Sequence, residues 1–133
     1  MTKLAFDNIS GPVFNLHENQ LNQGLTASRN SARKRFILPI HRTQDATVQR
    51  MINFMQPGTY IRPHLHPRAH ACESIVVFKG AIRFKVYDEN GRILQEFIAR
   101  AGTASAVLDI EPNVWHGFDV LEPDTVLFES KMG

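Results

Sequence analysis

Residues 58–80 read Gly58-Thr59-Tyr60-Ile61-Arg62-Pro63-His64-Leu65-His66-Pro67-Arg68-Ala69-His70-Ala71-Cys72-Glu73-Ser74-Ile75-Val76-Val77-Phe78-Lys79-Gly80, and this stretch decides the fold. Side chains at i and i+2 of an extended strand share one face, so Tyr60, Arg62, His64 and His66 are expected on a common side. Pro63 and Pro67 bracket the two histidines. They forbid a helix there and limit backbone pairing, as at a sheet edge or strand end. A further histidine follows in Pro112-Asn113-Val114-Trp115-His116. Three imidazoles and one carboxylate are thus available to one ion. That donor set suits Fe, Mn, Ni, Cu or Zn better than Ca or Mg, which prefer oxygen-only shells. Four such ligands leave open positions on an octahedral ion, whereas on tetrahedral zinc they close the shell.

The rest of the chain reads as one compact all-β unit behind a helical arm. At 133 residues it lies in the ordinary size range of a single domain. From Val48 onward, short extended runs alternate with turn signals: Gln56-Pro57-Gly58, Lys79-Gly80, Asp88-Glu89-Asn90-Gly91, Ala101-Gly102, Glu111-Pro112-Asn113 and Glu122-Pro123-Asp124. This is the rhythm of a β-barrel or sandwich. Asn90-Gly91, between the extended runs 82–87 and 93–97, predicts a hairpin with a primed turn. Ahead of the strands, Asn15 with Glu18 three positions on suggests a helix start, and Leu21 and Leu25 share a face across Gly24. The expected division is an N-terminal arm over residues 1–45 and a barrel over residues 46–133.

The two histidine-containing stretches resemble the first and second motifs of the cupin superfamily. The likeness is nearest to the WbuC-type cupin-fold metalloproteins. It rests also on Ser31-Ala32-Arg33-Lys34-Arg35, Leu38-Pro39-Ile40-His41, Val48-Gln49-Arg50 and Leu121-Glu122-Pro123, and it spans roughly residues 30 to 130. The resemblance implies a single-domain double-stranded β-helix, or jelly-roll barrel, with one divalent transition metal (Fe, Mn, Ni or Zn) on His64, His66, Glu73 and His116. It also implies an association with surface-polysaccharide biosynthesis. Two departures stand out. The spacer between His66 and Glu73 is six residues, longer than the motif's usual three or four, and it places His70 where a shorter spacer would put the carboxylate. Glu73 nevertheless keeps its six-residue distance to Gly80, which favours it as the ligand. Asn113 stands where the motif has glycine, and asparagine tolerates the positive φ required.

Strand parity extends the reading to a substrate. Arg62, on the face of His64 and His66, is the leading substrate-binding residue, with Tyr60 beside it, because a guanidinium forks onto a carboxylate or phosphate. If Glu73 is a ligand, proton transfer must come from elsewhere, and His70, Tyr60 and His41 are the catalytic candidates. Cys72 is expected to be a buried, inert thiol. Trp115, opposite in parity to His116, is read as a packing residue. In strand 73–78, Ile75 and Val77 follow Glu73 while Val76 and Phe78 face the other way, so both faces look buried and a homodimer is expected.

Composition narrows the function classes. The net charge of +2 and pI near 8.9 come from dispersed basic residues, apart from Arg29, Arg33, Lys34 and Arg35. Nucleic acid is therefore an unlikely partner, with steep salt dependence as its signature. The single Cys72 excludes an intrachain disulfide framework. The first seven residues, broken by charge, do not read as a leader, so a cytoplasmic chain free of the membrane is expected. There is no phosphate-binding glycine loop, nucleophile elbow or paired CxxC. The reading that remains is a metal-dependent enzyme on a small polar metabolite, such as a sugar or an anionic derivative, of isomerase, epimerase or dioxygenase type. The alternative is a non-catalytic cupin that binds or senses a small molecule around its metal.

Overall fold

The computed structural model describes residues 3–133; Met1 and Thr2, part of the leader reading above, lie outside them. One α-helix and eight strands, with a single 3-10 turn at Ala104–Ala106, follow in order: α1 Glu18–Asn30, β1 Arg35–Pro39, β2 Val48–Met55, β3 Glu73–Lys79, β4 Ala81–Tyr87, β5 Ile93–Arg100, β6 Val107–Ile110, β7 Trp115–Val120 and β8 Thr125–Met132. They form two antiparallel sheets, ordered β1-β2-β8-β3-β6 and β5-β4-β7. The expected β-rich chain with one N-terminal helix is what forms. No helix among the described residues is long and apolar enough to cross a membrane.

Alternation within the strands builds the core between the sheets. β3 buries Glu73, Ile75 and Val77 and exposes Ser74, Val76 and Phe78. Ile75, Val77, Leu108, Ile110 and Leu127 of the larger sheet meet Ile82, Phe84, Phe118 and Val120 of the smaller one. The two faces of β3 are thus not both buried in the single chain: Val76 is 39% and Phe78 57% exposed. Phe128, next to Val76 in the register, is also partly exposed.

A second cluster lies outside the larger sheet, where α1 covers β1 and β2. Leu25 packs with Leu38, Ile52, Phe54 and Val126. Gly24 faces Phe54 so closely that a Cβ there would overlap the ring. The glycine is therefore a packing requirement of the helix, not a weakness in it. The helix begins two residues later than Asn15 and Glu18 suggested, because Gln20 accepts a hydrogen bond from the His17 backbone N–H at 3.0 Å. Its C-terminal end is tied down through Asp124, which accepts from Arg29 Nε at 2.9 Å and Gln56 Nε2 at 2.8 Å. Residues 35–39 pair with β2 along their whole length, so the arm contributes a strand to the sheet.

The β4–β5 hairpin forms where Asn90-Gly91 placed it, with a different turn. Only Gly91 takes positive φ (86°), so the primed type, which needs it at both central residues, is excluded. Asp88 explains the change, since its Oδ1 accepts from the backbone N–H of Asn90 at 2.8 Å and of Arg92 at 2.9 Å and closes a longer loop.

Candidate metal centre

His64 and His66 lie on an extended segment that is not a regular strand. Its pairing with β7 is a single antiparallel bridge in which His64 and His116 exchange both backbone hydrogen bonds at 2.9 Å. The His66 carbonyl then accepts from the Asn113 backbone N–H at 3.0 Å, with Asn113 at φ 64°. The asparagine thus makes the turn expected of it, and this turn brings the two sequence-distant stretches together.

One ring nitrogen from each of His64, His66 and His116 lies within 4.8 Å of the other two. The Nδ1 atoms of His64 and His116 each sit 2.8 Å from a backbone carbonyl, of Arg62 and Val114 respectively. A carbonyl only accepts, so each Nδ1 carries the proton and each Nε2 presents its lone pair. The Nε2 atoms of His66 and His116 are buried with no hydrogen-bond partner. A buried nitrogen lone pair left bare is costly unless something binds it, so the donor set fits a transition ion. Phe84 stacks on the His116 ring, 5.7 Å between centroids and 17° between planes, and fixes its orientation.

Glu73 closes the fourth side. Its two oxygens lie 3.3 Å from His66 Nε2 and 3.4 Å from His116 Nε2, and the residue is 3% exposed. Burial pushes its carboxyl upward. Contact with His116 and the nearby charges of His116, His66 and Lys131 outweigh that and hold it below the ordinary glutamate range. Burial likewise opposes an imidazolium at His116, but Glu73 and the Val114 carbonyl turn the net shift upward. At His66 burial prevails and the shift is downward, towards the neutral ring that a metal requires.

β8 adds two residues that carry no motif. In the register Lys131 lies opposite Glu73, and Glu129 lies opposite Ile75, so both project to the inner face. Burial first, and then the charge of Glu73, push the Glu129 carboxyl up to about 7. Only pairing with β3 places these residues at the site. The sole sequence signal was period-2 alternation from Leu127 through Glu129 to Lys131. A cleft of about 390 Å³ opens beside His66, lined among others by Gln44, Gln49, Arg68 and Lys131.

The remaining sequence candidates lie elsewhere. Tyr60 is 72% exposed and Arg62 is exposed, and neither lines this cleft. Parity failed for them because the Gln56–Thr59 turn and Pro63 keep the segment out of the sheet until His64. His70 is exposed at φ 64° in the spacer turn and outside the three-histidine cluster. His41 is buried, but its Nδ1 lies 2.8 Å from the Arg50 carbonyl oxygen and 3.0 Å from the Arg50 backbone nitrogen, which ties the ring to β2. Cys72 is exposed, not buried, because it has the parity opposite to Glu73.

Residues 16–99 match the family described as "Domain of unknown function (DUF6016)". The chain belongs to this family. No curated protein matches this DUF6016 member. Among solved structures, an oxalate oxidase superposes with a TM-score of 0.58 at 19% identity over 78% of this chain and 53% of its own. The DUF6016 chain thus spans about half the length of that protein. KdgF from Halomonas sp. superposes with a TM-score of 0.54 at 18% identity, covering 73% of this chain and 81% of its own. YcfD, a ribosomal oxygenase from Escherichia coli solved with cobalt and succinic acid, gives 0.53 at 21% identity over 64% of this chain and 23% of its own. These neighbours are cupin-fold proteins, and at such identities the likeness establishes the fold.

Proposed function

We propose that this chain is a metal-binding cupin in which His64, His66, Glu73 and His116 hold one divalent transition ion, and that it acts as a metal-dependent enzyme on a small polar metabolite. The observation that carries the reading is the convergence of His64 with the buried Nε2 atoms of His66 and His116, which make no well-formed hydrogen bond and face only the buried Glu73 carboxylate at 3.3 and 3.4 Å. Such an ion, when bound, supplies Lewis acidity towards a carbonyl or hydroxyl oxygen. The chain's own residues do the rest. The Arg62 and Val114 carbonyls fix the tautomers of His64 and His116. Phe84 and the packed core exclude water behind the His116 ring. The cleft beside His66 admits the ligand from one side. Isomerase-like and dioxygenase-like reactions both suit this donor set.

The finer readings belong with this proposal: a jelly-roll barrel of the WbuC-like kind, a homodimer built on the exposed outer face of β3, and a cytoplasmic location. The test is elemental analysis of tag-free protein purified without chelator. Iron near one per chain directs the first assays to dioxygen chemistry. Zinc, nickel or manganese directs them to sugar isomerisation. A protein that is empty and takes up no added metal overturns the reading.

A further inference from the structure

Lys131 is the feature of the cleft that the metal reading leaves unused. In the register it stands between Gln49 of β2 and Glu73 of β3, and it lines the cleft together with His66, Gln49 and Arg68. Among the described residues no carboxylate lies within ion-pairing distance of its ammonium. The chain thus places an uncommitted lysine one strand away from a proposed metal ligand. An ammonium on a long stem in a half-enclosed cleft is strongly hydrated and gains by meeting an anion. Gln49 is already engaged twice, and Arg68 through only one of its nitrogens. Gln49 Nε2 donates to the Gln44 and Ala46 carbonyls at 3.0 and 2.8 Å, and Arg68 Nη1 donates to the Gly133 carbonyl at 2.6 Å.

Charge is the second line of argument. Two cations, Lys131 and Arg68, line the cleft, and no aspartate or glutamate side chain does. The nearest acids are Glu73 and Glu129 on the same inner face of the sheet, and Glu73 is turned towards His66 and His116. With an ion on the histidines, the negative charge of Glu73 is offset and the cleft is positive at both ends. A neutral sugar gains nothing from such a field, whereas an acid with a second oxygen function fits it.

We propose that Lys131, supported by Arg68, binds the acidic group of a small metabolite whose other oxygen function reaches the three-histidine centre. This deepens the proposed function and rests on it only for the second contact. Arg62, the sequence candidate for the same role, lies outside the cleft. Removing a charged hydrogen-bond partner from a half-buried contact weakens binding by about tenfold or more. Removing an exposed supporting cation weakens it by roughly two- to fivefold.

The experiment is isothermal titration of the full chain with malonate and with glycerol phosphate at constant ionic strength. It is run on metal-free protein and on protein whose metal content has been measured. The expected result is saturable binding of one of the two anions, weakened about tenfold or more in Lys131→Gln, largely retained in Lys131→Arg, and weakened modestly in Arg68→Gln. Whichever anion binds identifies the acidic group as carboxylate or phosphate. Arg68 is exposed, so its variant keeps the test valid should Lys131→Gln fold poorly. Anion binding that needs Lys131 in a chain that takes up no metal would sink the metal reading and leave this one standing. Equal affinity in wild type and Lys131→Gln, an unchanged affinity in Arg68→Gln, or no binding of either anion overturns it.

Discussion

Gly24→Ala sets two well-known effects against each other. Alanine is the better helix former, so in an exposed helix the change stabilises by about 1 kcal/mol. Here the new Cβ would overlap the Phe54 ring, and Phe54 is fully buried between α1 and the larger sheet. The fully buried ring has to move for the Cβ to be accommodated. Either side chains leave their rotamers, at a cost of about 1–3 kcal/mol, or α1 lifts from the sheet and gives up part of the burial of Leu25, worth about 1.5–3 kcal/mol when complete. The clash outweighs the propensity gain, and the expected net loss is about 2 kcal/mol, or very roughly 8 °C in Tm for a domain of this size. Urea unfolding followed by circular dichroism measures it. Shortening the opposing side chain should rescue it: Phe54→Leu alone costs stability through the cavity it leaves, but in the Gly24→Ala background it should restore at least 1 kcal/mol relative to additivity. If Gly24→Ala is as stable as wild type or more so, the helix does not seat on Phe54 and the packing argument is refuted.

Four other outcomes follow from the same geometry. His64→Ala combined with His116→Ala abolishes stoichiometric metal uptake in elemental analysis, while His70→Ala keeps most of it. Loss in His70→Ala with retention in Glu73→Gln would reassign the fourth ligand. Metal at about a hundred times its Kd raises the stability of wild type by about 2.7 kcal/mol, and the double histidine variant shows no such rise in thermal unfolding. Asp124→Asn keeps a residue that tolerates φ 60° but removes the charge that pairs with Arg29. Arg29's hydrogen bond, followed by Gln56's, holds the Asp124 carboxyl below its ordinary value. Its stabilisation is therefore full above the ordinary carboxylate pKa and lost as pH falls through the lowered one. With Arg29 half exposed, the loss at neutral pH is small because solvent screens the pair, and wild type and variant should converge in acid. Finally, the exposed Val76, Phe78 and Phe128 predict a two-chain particle in sedimentation equilibrium, which Phe78→Asp should dissociate; a wild type that stays monomeric refutes this.

What was legible in the sequence, and what was not, follows from the range of the interactions involved. His64 and His66 were readable because a period of two is local. Asn113 was readable because its φ depends on one residue's own sterics, and it adopts the positive value expected. The helix was readable to within two residues, since the start depended on whether Glu18 or Gln20 made the capping contact. Parity misled at Tyr60 and Arg62, where a turn and a proline interrupt the strand on which the rule depends. Glu129 and Lys131 could not be placed at the centre from sequence at all. Their position is a property of the β3–β8 register, which pairs residues more than fifty positions apart.

The same distinction bears on how the centre would work. Glu73 and His116 are held on regular strands inside the core, 3% and 1% exposed. His64 and His66 lie on a proline-bracketed segment joined to β7 by one bridge and to the Asn113 turn ahead of it by one hydrogen bond. Half of the proposed ligand set is therefore fixed by the fold, and half is held by fewer backbone hydrogen bonds. The latter half borders the cleft, where His66 meets Lys131 and Arg68. A ligand entering there encounters the less firmly paired side of the proposed centre first, so binding should order the 61–67 segment more than β3 or β7. Amide hydrogen exchange with and without metal reads this directly. Protection gained at residues 64–66, with β3 and β7 already protected in the metal-free chain, is the expected pattern. Equal gains across all three segments would mean that the core side of the site is not preformed.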